Sequence, residues 1–328
     1  MITIRKRSFH GATAVALAIM SIGMASMGAA GAAEWPSRPI SVIVPYTAGG
    51  SVDTSTRLVM EGVSAAIGQT IVVENKPGAN TTVGTGQLAR AKPDGYTFGI
   101  VPATYTANYA LFEKLPYQHA DFAPISHIVN IPMFLFTRAE TPVENVKELE
   151  TFSKSKPVNY ASTGPGSTGH FLGALFSQAT DIGAQHVPYN GSAPILADLM
   201  AGQIDFIFDP AMVPMPHVKA GKLKALAVSL PERCECFPDI PTMEEAGYPG
   251  FVQSSWIGLL APKGVPKDVV DRMAREIAQV VAKPDVQQKL QAMGMSTVGG
   301  TPEQFQQVIE RDTAVYEKIA QDADIRLR

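Results

Sequence analysis

The chain predicts an α/β protein of two lobes, each a central β-sheet flanked by helices, with a ligand cleft between them. Three observations predict it. From Pro39 onward, short β-branched runs alternate with longer helical patterns. Most handovers between them carry Gly or Pro. Extended runs at Ile125 to Val129 and Met133 to Thr137, with a Pro-, Glu- and Gly-rich stretch from Leu230 to Gly250, read as an outward and a return passage between lobes. With 328 residues, 45% of them hydrophobic, the chain has apolar material for two moderate cores. Alternation of this kind predicts parallel layers, and ligands in such layouts sit in the cleft.

Taken in order, Ile40 to Val44 reads as a buried strand, stopped by Pro45 and the turn Ala48-Gly49-Gly50. Val52, Val59, Val63 and Ile67 then follow helical spacing. Thr70 to Glu74 predicts a second strand, Val83 to Ala91 a helix and Thr97 to Val101 a third strand. Thr141-Pro142-Val143-Glu144 has capping-box spacing and predicts a helix start, followed by the strand Val158 to Ala161. A helix from Thr168, a strand near His186 to Pro188, a helix from Ser192 and strands Ile204 to Phe208 and Leu223 to Val228 continue the alternation. Trp256 to Ala261 is an apolar run. Pro266 opens a helix carrying Val269, Val270, Met273, Ile277 and Val280, and Thr301-Pro302-Glu303-Gln304 opens a long last helix carrying Phe305, Val308, Ile309, Val315, Tyr316 and Ile319.

The N-terminus has the form of a secretory signal. Arg5, Lys6 and Arg7 precede a charge-free, Ala-rich stretch from Gly11 to Ala33, and Gly31 and Ala33 suit the small positions of a cleavage site. Loss of residues 1–33 leaves 24 basic against 30 acidic residues, a net charge of −6, in a chain without blocks of like charge. That balance excludes nucleic acid as the expected partner. Cys234 and Cys236, the only cysteines, are expected in a surface turn, and scattered His119, His127, His186 and His217 predict no metal site.

Two Gly-rich loops stand where strands hand over to helices: Tyr46-Thr47-Ala48-Gly49-Gly50-Ser51, and Ser162-Thr163-Gly164-Pro165-Gly166-Ser167-Thr168-Gly169. A helix start offers unpaired N–H groups and partial positive charge, so each loop can hold an anion without Lys or Arg. Facing loops would hold one end each of a dianion. Gly164, Gly166 and Gly169 satisfy G-x-G-x-x-G, but no acid follows at the distance a dinucleotide ribose requires. Ser167 lacks the preceding glycine of a nucleophile elbow. His170 either donates to a ligand carboxylate or orders its loop. Asp53 is expected to support the first loop from the first helical turn, and Asp209, ending a strand, either faces the cleft as an acceptor or holds a turn.

The motifs together resemble a known family. Trp35-Pro36, Val44-Pro45-Tyr46-Thr47-Ala48-Gly49-Gly50-Ser51-Val52-Asp53, Val73-Glu74-Asn75-Lys76-Pro77-Gly78 and Pro93-Asp94-Gly95-Tyr96-Thr97 are similar to the Bug family. These are the extracytoplasmic solute receptors of tripartite tricarboxylate transporters, also called the TctC family. Val187-Pro188-Tyr189-Asn190-Gly191, Gly202-Gln203-Ile204-Asp205, Phe208-Asp209, Pro238-Asp239-Ile240-Pro241-Thr242 and Gly258-Leu259-Leu260-Ala261-Pro262 extend the likeness over nearly the whole mature chain. The resemblance implies a type II-like periplasmic binding protein, monomeric, without cofactor or catalysis. It would close on a small organic carboxylate and deliver it to the permease subunits. The first lobe would comprise residues 34–130 and 231–328, the second residues 131–230. Carried onto this sequence, the ligand-binding residues are Tyr46, Ala48, Gly49, Gly50, Ser162, Ser167, Thr168 and His170, with Thr104, Tyr189 and Asp209 as side walls. Arg233-Cys234-Glu235-Cys236-Phe237 departs from the family pattern. Two other readings stand beside this one: an accessory receptor for a membrane histidine kinase, and a periplasmic serine hydrolase using Ser167 and His170.

Overall fold

The computed structural model describes residues 1–3, 35–189, 191–322 and 325–326. The expected signal segment and its cleavage site lie outside them, apart from the first three residues. From Arg38 onward the chain forms one compact unit built on two sheets.

The first sheet has six strands: β1 (Ile40–Val44), β2 (Ile71–Asn75), β3 (Thr97–Pro102), β4 (Phe122–Ile131), β10 (Ser255–Pro262) and β11 (Ser296–Thr297), in the order β11-β4-β10-β3-β1-β2. The second has five: β5 (Met133–Arg138), β6 (Asn159–Ser162), β7 (Gln185–Pro188), β8 (Phe206–Pro210) and β9 (Leu223–Val228), in the order β7-β6-β8-β5-β9. Only Pro132 separates β4 from β5, whereas the return from β9 to β10 takes residues 229–254.

Both sheets are mixed rather than parallel. The β1, β2 and β3 pairings are parallel, as are those of β6 with β7 and β8. However, β10 lies antiparallel between β3 and β4, and β5 lies antiparallel between β8 and β9. The inserted strands are those that flank the passages between sheets. Strand–helix alternation reports successive crossover units and carries no information on a strand that arrives from the other sheet.

Ten α-helices complete the described chain: α1 (Ser51–Ile67), α2 (Thr82–Ala89), α3 (Thr104–Leu111), α4 (Val146–Lys154), α5 (Thr168–Thr180), α6 (Ser192–Met200), α7 (Met215–Lys219), α8 (Lys267–Val281), α9 (Pro284–Ala292) and α10 (Pro302–Asp322). None is long and apolar enough to cross a membrane. Helix α8 buries the predicted Val269, Val270, Met273, Ile277 and Val280 stripe. At α10, Thr301 Oγ1 accepts from the Gln304 N–H and Gln304 Oε1 from the Thr301 N–H, closing the predicted capping box. The box expected at Thr141 is not used. Thr141 Oγ1 accepts from the Thr137 hydroxyl instead, and the cap falls on Asn145, whose side chain accepts from the Glu148 N–H at 2.9 Å. Glu148 in turn accepts from the Glu144 N–H, so the same reciprocal chemistry operates four residues later.

The first core sets Trp256, Tyr105, Phe305 and Tyr316 between the first sheet and helices α3 and α10. Trp256 donates its indole N–H to buried Asp312 at 2.7 Å, which Arg311 also holds. Phe171 of α5 joins this core through the Tyr316 ring, 4.6 Å away, so a helix of the second sheet is packed onto the first. Cys234 and Cys236, expected as a plain turn, are joined by a disulfide within the return passage. The turn brings their Cα atoms to 5.1 Å, inside the range a disulfide spans.

Candidate functional site

The carboxyl ends of the parallel strands carry the loops singled out from the sequence, the position where open α/β sheets place ligands. At the end of β1, Ala48, Gly49 and Gly50 are exposed ahead of α1. Asp53 points back beneath them, 2% exposed. Its carboxylate accepts from the Gly49 N–H at 2.8 Å, from Asn75 Nδ2 at 2.8 Å and from Arg57 Nε at 3.0 Å. Asn75 Nδ2 also donates to the Tyr46 carbonyl, and Arg57 Nη2 donates to Asn75 Oδ1. Burial pushes the Asp53 carboxyl up, but these donors outweigh it and hold the group at about 2. The Gly49 amide is therefore spent on Asp53. The amides that remain for an anion in this loop are those of Ala48, Gly50 and the first turn of α1. Thr104, the first residue of α3, neighbours the Tyr46 side chain. Burial raises the Tyr46 phenol, so its hydroxyl is a neutral donor.

The second loop follows β6. Ser162 Oγ accepts from the Gly164 N–H, donates to the Gly164 carbonyl and lies in hydrogen-bond contact with His186 Nε2, 2.7 Å away. Ser167 is the N-cap of α5: its hydroxyl donates to the Gly164 carbonyl and accepts from the His170 N–H. The His170 ring takes the Gly166 N–H on Nδ1 at 3.1 Å and stacks on His186 with centroids 3.8 Å apart. Ser167 and His170 thus serve the loop backbone, and their side chains are not arranged as a nucleophile with its base. Tyr189 donates its hydroxyl to Asp198 of α6. Thr168 lies within 3.4 Å of the Tyr316 hydroxyl.

The second loop approaches the first sheet's side at Gly166. This residue has φ +79°, which favours glycine, and a Cβ there would press on Leu111 Cδ1 of α3 and lie 2.9 Å from Asn80 Nδ2, so both side-chain ends would have to shift. The facing segment is itself held in an unusual conformation: Ala79, Asn80 and Thr81 all have positive φ. Asn108 pins it, accepting from Asn80 Nδ2 and donating to the Asn80 carbonyl. At Gly169 a Cβ would strike the Phe208 carbonyl, which seats the start of α5 directly on β8. Asp209 follows, 4% exposed, with burial pushing its carboxyl up to about 7 against the opposing pull of Ser192.

Asn75, Arg57 and His186 were not singled out from the sequence. Asn75 stands within a quoted motif, but its bond to Asp53 spans 22 residues, and the His170–His186 pair joins the start of a helix to the next strand. Among the described residues, no group of three or more His, Cys, Asp or Glu is placed to hold a metal ion.

The histidines carry a pH prediction. Burial, with the charge of His186 added, lowers His170 to about 3; burial alone lowers His186 to about 4, and burial chiefly lowers His119 and His127 to about 4. Each folded value lies below the unfolded one, so the unfolded chain binds more protons between about pH 6.5 and about pH 4. Their contribution is complete above that window and lost as pH falls through it. Asp209, raised in the folded state, opposes the trend, because its contribution is lost as pH rises through about 7. Four rings outweigh one carboxyl. The melting temperature should fall by roughly 5 °C between about pH 7 and about pH 5, read by calorimetry.

Comparison with known proteins follows the same lines. The chain matches the family described as "Tripartite tricarboxylate transporter family receptor" over residues 55–325. Among solved structures, the periplasmic binding protein BugD is 33% identical with a TM-score of 0.78, covering 89% of this chain and 100% of that one. Rpa4515 of R. palustris, solved with adipate, is 32% identical with a TM-score of 0.82, covering 90% and 100%. MatC of Rhodopseudomonas palustris, solved with bound malate, is 30% identical with a TM-score of 0.76, covering 87% and 99%. On this match and on the two-sheet fold, the chain belongs to the TctC family of tripartite tricarboxylate transporter receptors.

Proposed function

We propose that the protein is a periplasmic solute receptor, exported by its N-terminal segment, that captures a small organic carboxylate between its lobes and passes it to the permease subunits of a tripartite tricarboxylate transporter. In this reading residues 34–130 and 231–328 form one lobe and residues 131–230 the other, and the receptor acts as a monomer without cofactor or catalysis. Tyr46, Ala48, Gly49 and Gly50 contribute from one side, and Ser162, Ser167, Thr168 and His170 from the other, with Thr104, Tyr189 and Asp209 as walls. Gly49 acts by shaping its loop, since its N–H is engaged by Asp53, and His170 orders the second loop through Nδ1, which accepts from the Gly166 N–H.

The observation that supports this reading is the approach of the second Gly-rich loop, at Gly166, to Leu111 and Asn80 on the side of the first sheet. In this reading the starts of α1 and α5, each a source of unpaired amides, face one crevice. Adipate and malate in the two homologous structures support a carboxylate of this size class. A ligand that binds both lobes shifts their equilibrium through contacts made only when they meet. A panel of C4 to C6 dicarboxylates, amino acids and aromatic carboxylates tests it. The expected result is a melting temperature that climbs with ligand concentration, worth about 2.7 kcal/mol at a hundredfold excess over Kd. A panel without any melting shift and without change in tryptophan or tyrosine fluorescence overturns the reading.

A further inference from the structure

Asp209 is the one carboxylate among the proposed ligand-facing residues, and the chain does not fully satisfy it. It ends β8, where the parallel register of β6 and β8, Tyr160 opposite Phe206 and Ala161 opposite Ile207, puts Ser162 level with Phe208. Asp209 therefore lies one residue further toward the crevice end. Ser192, the first residue of the nine-residue helix α6, neighbours the carboxyl and pulls its pKa down against burial. Oδ2 is buried and has no hydrogen-bond partner among the described residues. Buried polar atoms of folded proteins nearly always find a partner, and an orphaned one points to a group the chain does not supply. Two ligand chemistries fit: a hydroxyl or ammonium donating to the carboxylate, or a ligand carboxylate accepting from the protonated acid.

The surroundings choose between them. A ligand carboxylate has better partners close by in the amides opening α5 and α6, which are donors without negative charge. A ligand donor is repelled by those amides and finds its acceptor in Asp209. Resting on the receptor reading above, we infer that Asp209 reads a hydrogen-bond donor carried on the ligand's carbon chain, so that hydroxy or amino acids are preferred to the unsubstituted acid of the same length. Asp209 then sets specificity while the loop amides hold the carboxylates.

The test uses matched triplets: succinate, malate and aspartate; glutarate, 2-hydroxyglutarate and glutamate; adipate, 2-hydroxyadipate and 2-aminoadipate. Kd is measured by calorimetric titration at about pH 6 and about pH 8, a window that brackets the ionisation of Asp209 while His170 and His186 stay neutral. Asp198, the other acid on this lobe near the β7 end, is engaged by Tyr189. In the triplet that fits the crevice, the substituted acid should bind at least about tenfold tighter than its plain partner, with the advantage growing from pH 6 to pH 8. Asp209→Asn should abolish both the advantage and its pH dependence. Ser192→Ala, which removes the neighbour that pulls Asp209 down, should move the pH dependence upward and serves if the asparagine variant does not fold.

Three results overturn the inference: equal affinity within every triplet, an advantage that survives in Asp209→Asn, or a plain acid that binds best and weakens toward pH 8, the signature of the protonated acid donating to a carboxylate. Each leaves the receptor reading in place. Failure of every acid to bind removes the receptor reading and this inference together.

Discussion

Replacing Asp53 with alanine is expected to weaken carboxylate binding at least about tenfold and to cost about 2–4 kcal/mol of stability. The carboxylate gathers the Gly49 amide, the Asn75 side chain and the Arg57 guanidinium at one buried point. Its removal strands the Gly49 N–H and one Asn75 proton beneath the loop, where water reaches them poorly. The Arg57 contribution is the smaller part, because that side chain is 46% exposed and its ion pair is screened. The loss falls on the loop rather than on the sheet: Tyr46, tied to Asn75 through its carbonyl, loses its anchor, and the amides of Ala48 and Gly50 no longer stand in a fixed array. Asp53→Asn keeps the shape and should recover part of the stability. Because the folded Asp53 titrates at about 2, its contribution is complete above about pH 4 and disappears as pH falls toward about 2. Chemical denaturation paired with titration of a binding acid checks both numbers; an alanine variant with unchanged Kd removes Asp53 from the site.

Gly166→Ala is expected to weaken binding about tenfold to hundredfold while lowering the melting temperature only a few degrees. The residue has φ +79°, which costs an alanine about 1 kcal/mol, and the added methyl group would overlap Leu111 and crowd Asn80. Leu111 and Asn80 belong to the first sheet's side and Gly166 to the second's. The strain is relieved by parting the sheets, so it acts on the assembled crevice more than on either sheet. Leu111→Ala in the same chain should return the steric share and leave the backbone share, a coupling measured by a double-mutant cycle. Equal losses in the single and double variants would place the effect in the backbone alone.

The parts of this structure legible in the sequence are those written in short range. Gly49, Gly50, Gly164 and Gly166 announce turns at strand ends, and Thr301 with Gln304 announces a helix start, because each requirement is met within a few residues. The apolar stripes of α1, α8 and α10 were visible for the same reason. What stayed hidden depends on distant partners. Helix α3, Thr-Tyr-Thr-Ala-Asn-Tyr-Ala-Leu, is rich in β-branched and aromatic residues and is held by packing against α10. The antiparallel places of β5 and β10 follow from a passage between sheets that no local period encodes. His186 read as scattered because only the pairing of β6 with β7 brings it to His170. Asn75 was visible as a motif letter, but its function required Asp53 and Tyr46 to be seen beside it.

The unequal lengths of the two links between sheets decide where bending is concentrated. A single residue, Pro132, joins β4 to β5, and its ring fixes one of the two torsions there. The other link, residues 229–254, is long, tied to β9 by the Val228–Thr242 bridge and cross-braced by Arg233 on Glu245. The two sheets are therefore coupled by one short, stiff joint at Pro132 and one broad, braced strap, so any relative displacement of the sheets has to deform both.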